Sequence, residues 1–201
     1  MNIIPQDVVT ERLGKALPKL ATCLSKAWDK YGEYPESLRV DHSSRSRASL
    51  IHDHATMLAR QEFDVYPGSH CEEIRKLFLV YFDCGIVVRF KKLNENFHAS
   101  NIRTQQCLNF TGQLSLPLLG DTVNLHVGYR LNTLQTDLEG IYLACPNGPS
   151  SNAWVMTLGG AAEDDQIPSI IPVTPQSPEP GHKVVTFAPR KQDREHGKAS
   201  K

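Results

Sequence analysis

Apolar residues recur with a helical period at the start of the chain and with a period of two after residue 77. Over residues 5–31, Val9, Leu13, Leu17, Leu20, Leu24 and Trp28 return every three or four positions. That spacing paints one stripe on an amphipathic helix. Pro18 lies in the stripe; its missing N–H and its ring predict a kink or a restart. Gly32 and Pro35 end the helix. Beyond a polar connector, Ser43 or Ser44 can cap a second helix reaching about Phe63, with Ile51, Ala55, Leu58 and Glu62 along one side. Asp64 to Ser69, containing Pro67-Gly68, is a turn.

Leu77 to Phe82 is a continuous apolar run, followed by Asp83-Cys84-Gly85 and then Ile86 to Phe90. Two β-prone runs around a short Gly-containing turn predict a hairpin. The first strand is apolar on both faces and belongs inside a sheet. The second buries Ile86, Val88 and Phe90 and turns Arg89 and Lys91 the other way. Ahead of it, Ser69 and Glu72 have capping-box spacing, which predicts a short helix giving way to strand near Leu77. The competing reading is one helix running on to Cys84, with Gly85 just beyond its end.

Within Asn94 to Gln113, Ser100 or Asn101 can cap a crossover helix carrying Arg103, Gln105, Gln106, Cys107, Leu108 and Phe110. Residues 114–120 form an apolar loop. Val123 to Asn132 then alternates, with Leu125, Val127, Tyr129 and Leu131 on one face and Asn124, His126, Gly128 and Arg130 on the other. Residues 140–145 and 153–158 read as strands separated by Pro146-Asn147-Gly148-Pro149. The expected fold is α+β: N-terminal helices packed on a mainly antiparallel sheet of about five strands, with one helical crossover. Three stretches follow: 1–42, helix and connector; 43–160, the α+β core; and 161–201, a Pro-rich tail. The tail holds six of the thirteen prolines and too little apolar surface to offset the entropy of ordering, so it is expected to be flexible. Ile170-Ile171 and Val184 to Phe187 are its two apolar islands, suited to docking on a partner or on the domain itself.

Charge narrows the choice of partners. Lys plus Arg equals Asp plus Glu at 22 each, so nucleic-acid or membrane binding would need a local patch. No apolar run approaches the ~20 residues of a membrane span, and the first residues lack the pattern of a signal peptide. The five cysteines are odd in number and far apart, which predicts reduced thiols in a cytoplasmic protein rather than a disulfide framework.

Motifs exclude more than they assign. The chain lacks GxGxxG, GxxxxGK[ST], HExxH and GxSxG, the usual devices of dinucleotide, P-loop, metallopeptidase and α/β-hydrolase chemistry. His52-Asp53-His54 suggests a metal, but on a helix positions i and i+2 point about 200° apart, so no metal is expected there. No cofactor is expected either. Cys84 and Cys145 stand beside turns, where a neighbour such as His126 would activate a thiol; buried structural cysteine is the blander reading.

The leading candidate is a face. Arg89 and Lys91 project from one side of the hairpin, and His126 and Arg130 from the polar side of a later strand; Lys92, Arg103 and Gln106 extend the patch. Such a surface would hold phosphates or an acidic protein surface. An ordinary solvated sheet face is the alternative. As a metal-independent nuclease acting on RNA, the same face would use His126 as general acid or base with Arg130 and Arg89.

Arg89-Phe90-Lys91-Lys92-Leu93, then Asn101, Thr104 and Gln106, then Val127-Gly128-Tyr129 and Cys145-Pro146-Asn147-Gly148, resemble in order the motifs of an uncharacterised group of bacterial proteins. The resemblance covers about residues 45–158 and omits the tail. It implies a gene pair with a helix-turn-helix, zinc-peptidase-like protein, of the toxin–antitoxin or phage-defence kind. It assigns no active site. The expected function is therefore a protein-binding component of such a module, acting through the basic face and the tail. A small nuclease toxin is the alternative.

Overall fold

The structure, a computed structural model, describes residues 3–74, 76–99, 104–113, 122–160 and 170–171. The stripe predicted for residues 5–31 forms two helices, α1 (Gln6–Leu13) and α2 (Ala16–Gly32). The break falls at Gly14, whose φ of 40° closes α1. Pro18 instead sits in the first turn of α2, where its missing N–H would have had no helical acceptor. A short helix not foreseen in the connector, α3 (Glu36–Asp41), follows Pro35. Ser43 caps α4 (Ser44–Phe63), its hydroxyl accepting from Ser46 N at 3.1 Å.

The helix expected after Ser69 is a strand. β1 (Ser69–Ile74) pairs antiparallel with all six residues of β2 (Leu77–Phe82), from Ser69 opposite Phe82 to Ile74 opposite Leu77. A single helical turn or two is marginal on its own, whereas edge pairing satisfies the backbone at once. His70 stacks on Tyr81 at 4.9 Å, and Asp64 accepts from the Cys71 amide at 2.8 Å. Gly85, at φ 80°, turns β2 into β3 (Ile86–Lys92). Helix α5 (Gln105–Thr111) is capped by Thr104; Ser100 and Asn101 lie outside the described residues, as does the loop at 114–120. Then come β4 (Val123–Leu131), β5 (Leu138–Pro146) and β6 (Asn152–Gly160).

These six strands lie in chain order across one sheet, so the α+β fold has one strand more than expected. Every junction is antiparallel except β3–β4, which is parallel and crosses over through α5. A two-residue strand β7 (Ile170–Ile171) pairs with Val155 and Met156 of β6, so one predicted island lies against the domain; the second island and the rest of the tail are outside the described residues. Helices α1, α2 and α4 cover one face. There Leu20, Leu24, Ile51 and Phe63 meet Ile86, Val88, Phe90, Leu125 and Val127 in one core, to which α1 and α2 both contribute.

The second face is covered too. Phe110 of α5 packs on Leu79, Tyr81 and Val87, while Leu93 packs with Tyr142, Ala144 and Val155. A Cβ on Gly128 would come within 2.4 Å of Leu93, so glycine makes the socket.

The join between α5 and the sheet depends on a side chain. The β4–β5 register pairs His126 with Ala144, which brings Asn124 opposite Pro146, a residue with no N–H. Gln113, buried after α5, fills the gap. Its amide donates to Asn124 O (2.7 Å) and Pro146 O (2.9 Å) and accepts from Asn124 N (2.8 Å). Truncation leaves these buried groups unpartnered, so Gln113→Ala is expected to cost about 2–4 kcal/mol in urea unfolding. A loss near zero would mean that water replaces the amide.

Candidate functional site

Arg89 and His126 are register partners across β3–β4, as a shared face requires, and Lys91 lies opposite Gly128. That face, however, is not open. α5 closes over it, leaving His126 only 2% exposed and Arg89 8%. His126 stacks flat on Phe110 (5.1 Å, 14°), and its Nε2 has no hydrogen-bond partner among the described residues. Burial first, then the positive charges of Arg89 and Lys91, push the imidazole down to about 3. It is a neutral core histidine.

Arg89 lies over the same Phe110 ring and donates to Cys107 Sγ at 3.5 Å. Burial alone would raise the Cys107 thiol. Hydrogen bonds from Thr104 and Arg89, with the fields of Arg89 and Lys91, outweigh it and hold the thiol below its ordinary value. The two thiols singled out from the sequence go the other way. Burial lifts Cys145 to about 12 and also raises Cys84. All five cysteines are free, and the nearly buried Cys107 is the one whose surroundings favour thiolate. Its neighbour Arg89 is 18 positions away in sequence, which is why spacing gave no sign of it.

Arg130 is taken up elsewhere. It forms a two-pronged ion pair with Glu139, Nε to Oε2 at 2.7 Å, and lies over the Phe97 ring at 4.8 Å. Gln106 is half-buried on α5, and Arg103 is outside the described residues. The predicted patch therefore divides into a covered pair, a neutralised arginine, and Lys91 with Lys92.

Those two lysines meet a second set of cations across a cleft. The N-terminal half of α4 faces the end of β3, enclosing about 940 Å³ lined by Ser44, Arg45, His52, Lys91, Lys92 and the Tyr129 ring, among others. Arg47 stands at its edge, sharing the Gln135 side chain with Lys92. The ion pairs among the described residues are Lys19–Glu62, Arg60–Glu73 and Arg130–Glu139. None includes Arg45, Arg47, Arg89, Lys91 or Lys92. Asp53 is the one carboxylate lining the cleft among the described residues. Arg45 and Arg47 occupy the first turns of α4, where the helix dipole disfavours cations and no acidic residue relieves them.

Burial is the first cause of the pKa shifts around the cleft, and neighbouring cations add to it. Burial and then Arg89 lower Lys91 to about 8, with Cys107 opposing. Burial, Lys91 and Arg89 lower His52. Tyr129 is 3% exposed, and its hydroxyl has no partner among the described residues. The His52-Asp53-His54 triplet splits as helix geometry requires: His52 lines the cleft, and His54 meets Tyr34 Oη at 3.3 Å. No group of three or more metal-ligating side chains occurs among the described residues. Nor is any described helix long and apolar enough to cross a membrane. The sequence signal for the cleft was the Ser-Arg-Ser-Arg run opening α4, which reads locally as solvated surface.

The chain matches no protein-family model, no curated protein and no solved structure.

The neutral His126 has a consequence for acid stability. An unfolded chain protonates histidine near 6.5, whereas folded His126 resists until about 3. Folding is therefore opposed increasingly as pH falls between these values. Its share of the loss between pH 7 and 5 is about 2 kcal/mol. Urea unfolding at both pH values should show a smaller acid loss for His126→Gln than for the parent. Equal losses would mean that His126 is reached by protons in the fold.

Proposed function

We propose that this protein is the binding component of a two-protein bacterial module of the toxin–antitoxin or phage-defence kind. In this reading the cleft between α4 and β3 takes an acidic segment of the partner protein. One observation carries it: Arg45, Arg47, Lys91 and Lys92 gather at one seam with no carboxylate ion pair among the described residues. In a chain with zero net charge, such a cluster repels itself and costs stability. An acidic segment would offset that repulsion. Guanidinium forks and ammonium groups suit carboxylates. The two-protein context comes from the resemblance of the RFKKL, VGY and CPNG motifs.

Binding fits better than RNA cleavage. The nuclease reading needs His126 in contact with substrate, yet Phe110 covers it and burial keeps it neutral. Arg130 is committed to Glu139 on another part of the sheet. The recognition surface moves accordingly from the sheet face to its margin, where Lys91 and Lys92 remain within reach.

Co-expression with the neighbouring gene, followed by affinity capture, tests this reading. The double reversal Lys91→Glu, Lys92→Glu should weaken capture by at least about tenfold, since truncating desolvated charge pairs costs ~2 kcal/mol or more. Circular dichroism should remain that of the parent. Undiminished capture by a folded variant would show the cleft is not the interface.

Affinity should also depend on pH. Free Lys91 loses its charge near pH 8, so binding weakens as pH rises from 7 to 9. Lys91→Arg keeps the charge and should flatten that profile. A parent profile that is already flat would remove Lys91 from the contact.

A further inference from the structure

At the mouth of the cleft, three side-chain donors converge on a single neutral oxygen. Gln135 Oε1 accepts from Arg47 Nη2 at 2.9 Å, Lys92 Nζ at 3.0 Å and Ser44 Oγ at 3.2 Å. An amide oxygen offers two lone pairs, whereas a carboxylate offers about four acceptor sites and a full negative charge. Two cations and a hydroxyl are thus arranged around an acceptor that neutralises neither cation.

We infer that the Gln135 side-chain amide is a resident stand-in for a carboxylate of the partner's acidic segment, and that binding displaces it. The inference rests on the cleft reading above and names the group that enters it.

The turn carrying Gln135 is built for such an exchange. Asn132 ties it internally, through Thr136 N to Asn132 Oδ1 at 2.9 Å, Asn132 Nδ2 to Asp137 Oδ2 at 3.0 Å and Gln135 N to Asn132 O at 2.8 Å. These bonds persist when the amide swings away. Arg47 Nη1 donates separately to the main-chain Gln135 O at 2.7 Å, which keeps the guanidinium in place as the side chain leaves. Gln135 stands at φ 56°, a conformation L-residues adopt at a cost, and the neighbouring Leu134 is 80% exposed. The turn therefore advances one polar side chain onto the cations without burying an apolar anchor.

Deeper in the cleft, the Tyr129 hydroxyl, without a partner among the described residues, is a further donor, nine-tenths and more buried. The cations, the hydroxyls of Ser44 and Tyr129 and the start of a 20-residue helix together present donors to an anion at one end of the molecule. Asp53 is the opposing charge on the cleft wall.

The test uses the full chain and hexaglutamate as probe in low salt, read by calorimetry, with inorganic phosphate in parallel. Gln135→Ala removes the stand-in, and hexaglutamate affinity should rise roughly tenfold, the scale of one hydrogen bond to a charged group. Gln135→Glu installs a permanent carboxylate, and affinity should fall by a similar factor. Without any probe, Gln135→Glu should also raise the melting temperature by roughly 2–4 °C, because it answers cations the amide leaves charged. Equal affinity in the parent and both variants would overturn the displacement while leaving the cleft as the binding site. Tightening toward phosphate alone would overturn the carboxylate assignment. Absence of hexaglutamate binding in the parent and Gln135→Ala would overturn it as well. Partner capture by the Lys91→Glu, Lys92→Glu variant would then decide separately whether the cleft reading stands.

Discussion

Pro146 removes a donor from the one place where β4 and β5 would otherwise close their ladder, and the Gln113 amide supplies it. Much of the second face depends on that substitution. Gln113 follows α5 directly, so fixing its amide between two strands fixes where the helix ends. Asn124 adds a bond from its side chain to Phe110 O at 3.2 Å. Phe110 is thereby seated over Val87, Arg89 and His126, and the sheet acquires a second dry face. The parallel β3–β4 pair follows the rule for such pairs: a crossover helix covers it and both of its faces are buried.

Closing that face sorts the basic residues into three environments. Arg89 is drawn under Phe110 and finds a sulfur. Arg130 pairs with Glu139 and lies on aromatic rings. Lys91 and Lys92, at the end of β3, emerge beside the arginines that open α4. An even global count of acids and bases conceals this, because the carboxylates that form ion pairs among the described residues do so elsewhere: Glu62 with Lys19, Glu73 with Arg60 and Glu139 with Arg130. Positive charge is left in excess at the cleft, where Asp53 is the one lining carboxylate among the described residues. Lys91 and His52 are both lowered by burial first and then by neighbouring positive charge.

The same enclosure separates chemistry that residue types would otherwise suggest. A histidine beside a cysteine and an arginine invites a catalytic reading, but a ring stacked under Phe110 and kept neutral to about pH 3 does not exchange protons at neutral pH. Cys107 is held toward thiolate by Arg89 yet is nearly buried. Its sulfur gives the Arg89 guanidinium an acceptor within the core. Both groups serve the packing of α5, while recognition is left to the open seam beside it.

Periodicity alone determined most of the architecture. The stripe from Val9 to Trp28 called for helices, the runs from Leu77 to Phe90 favoured a hairpin over a helix running to Cys84, and the alternation from Leu125 to Leu131 placed each of those side chains on its face. Those features are local, since each residue's direction follows from its neighbours within one element. Tertiary structure decided the remainder. Ser69–Ile74 became strand because β2 offered a full-length edge, and the first helix broke at Gly14 because that residue alone takes the required dihedrals, while Pro18 fitted a first turn. Alternation assigned His126 and Arg89 to the polar side but carried no information on what would cover it. The cleft joins Ser44 and Arg47 to Lys92, Tyr129 and Gln135, positions separated by up to 91 residues. No periodicity spans such a distance, so only packing α4 against the end of β3 could bring those donors to one oxygen.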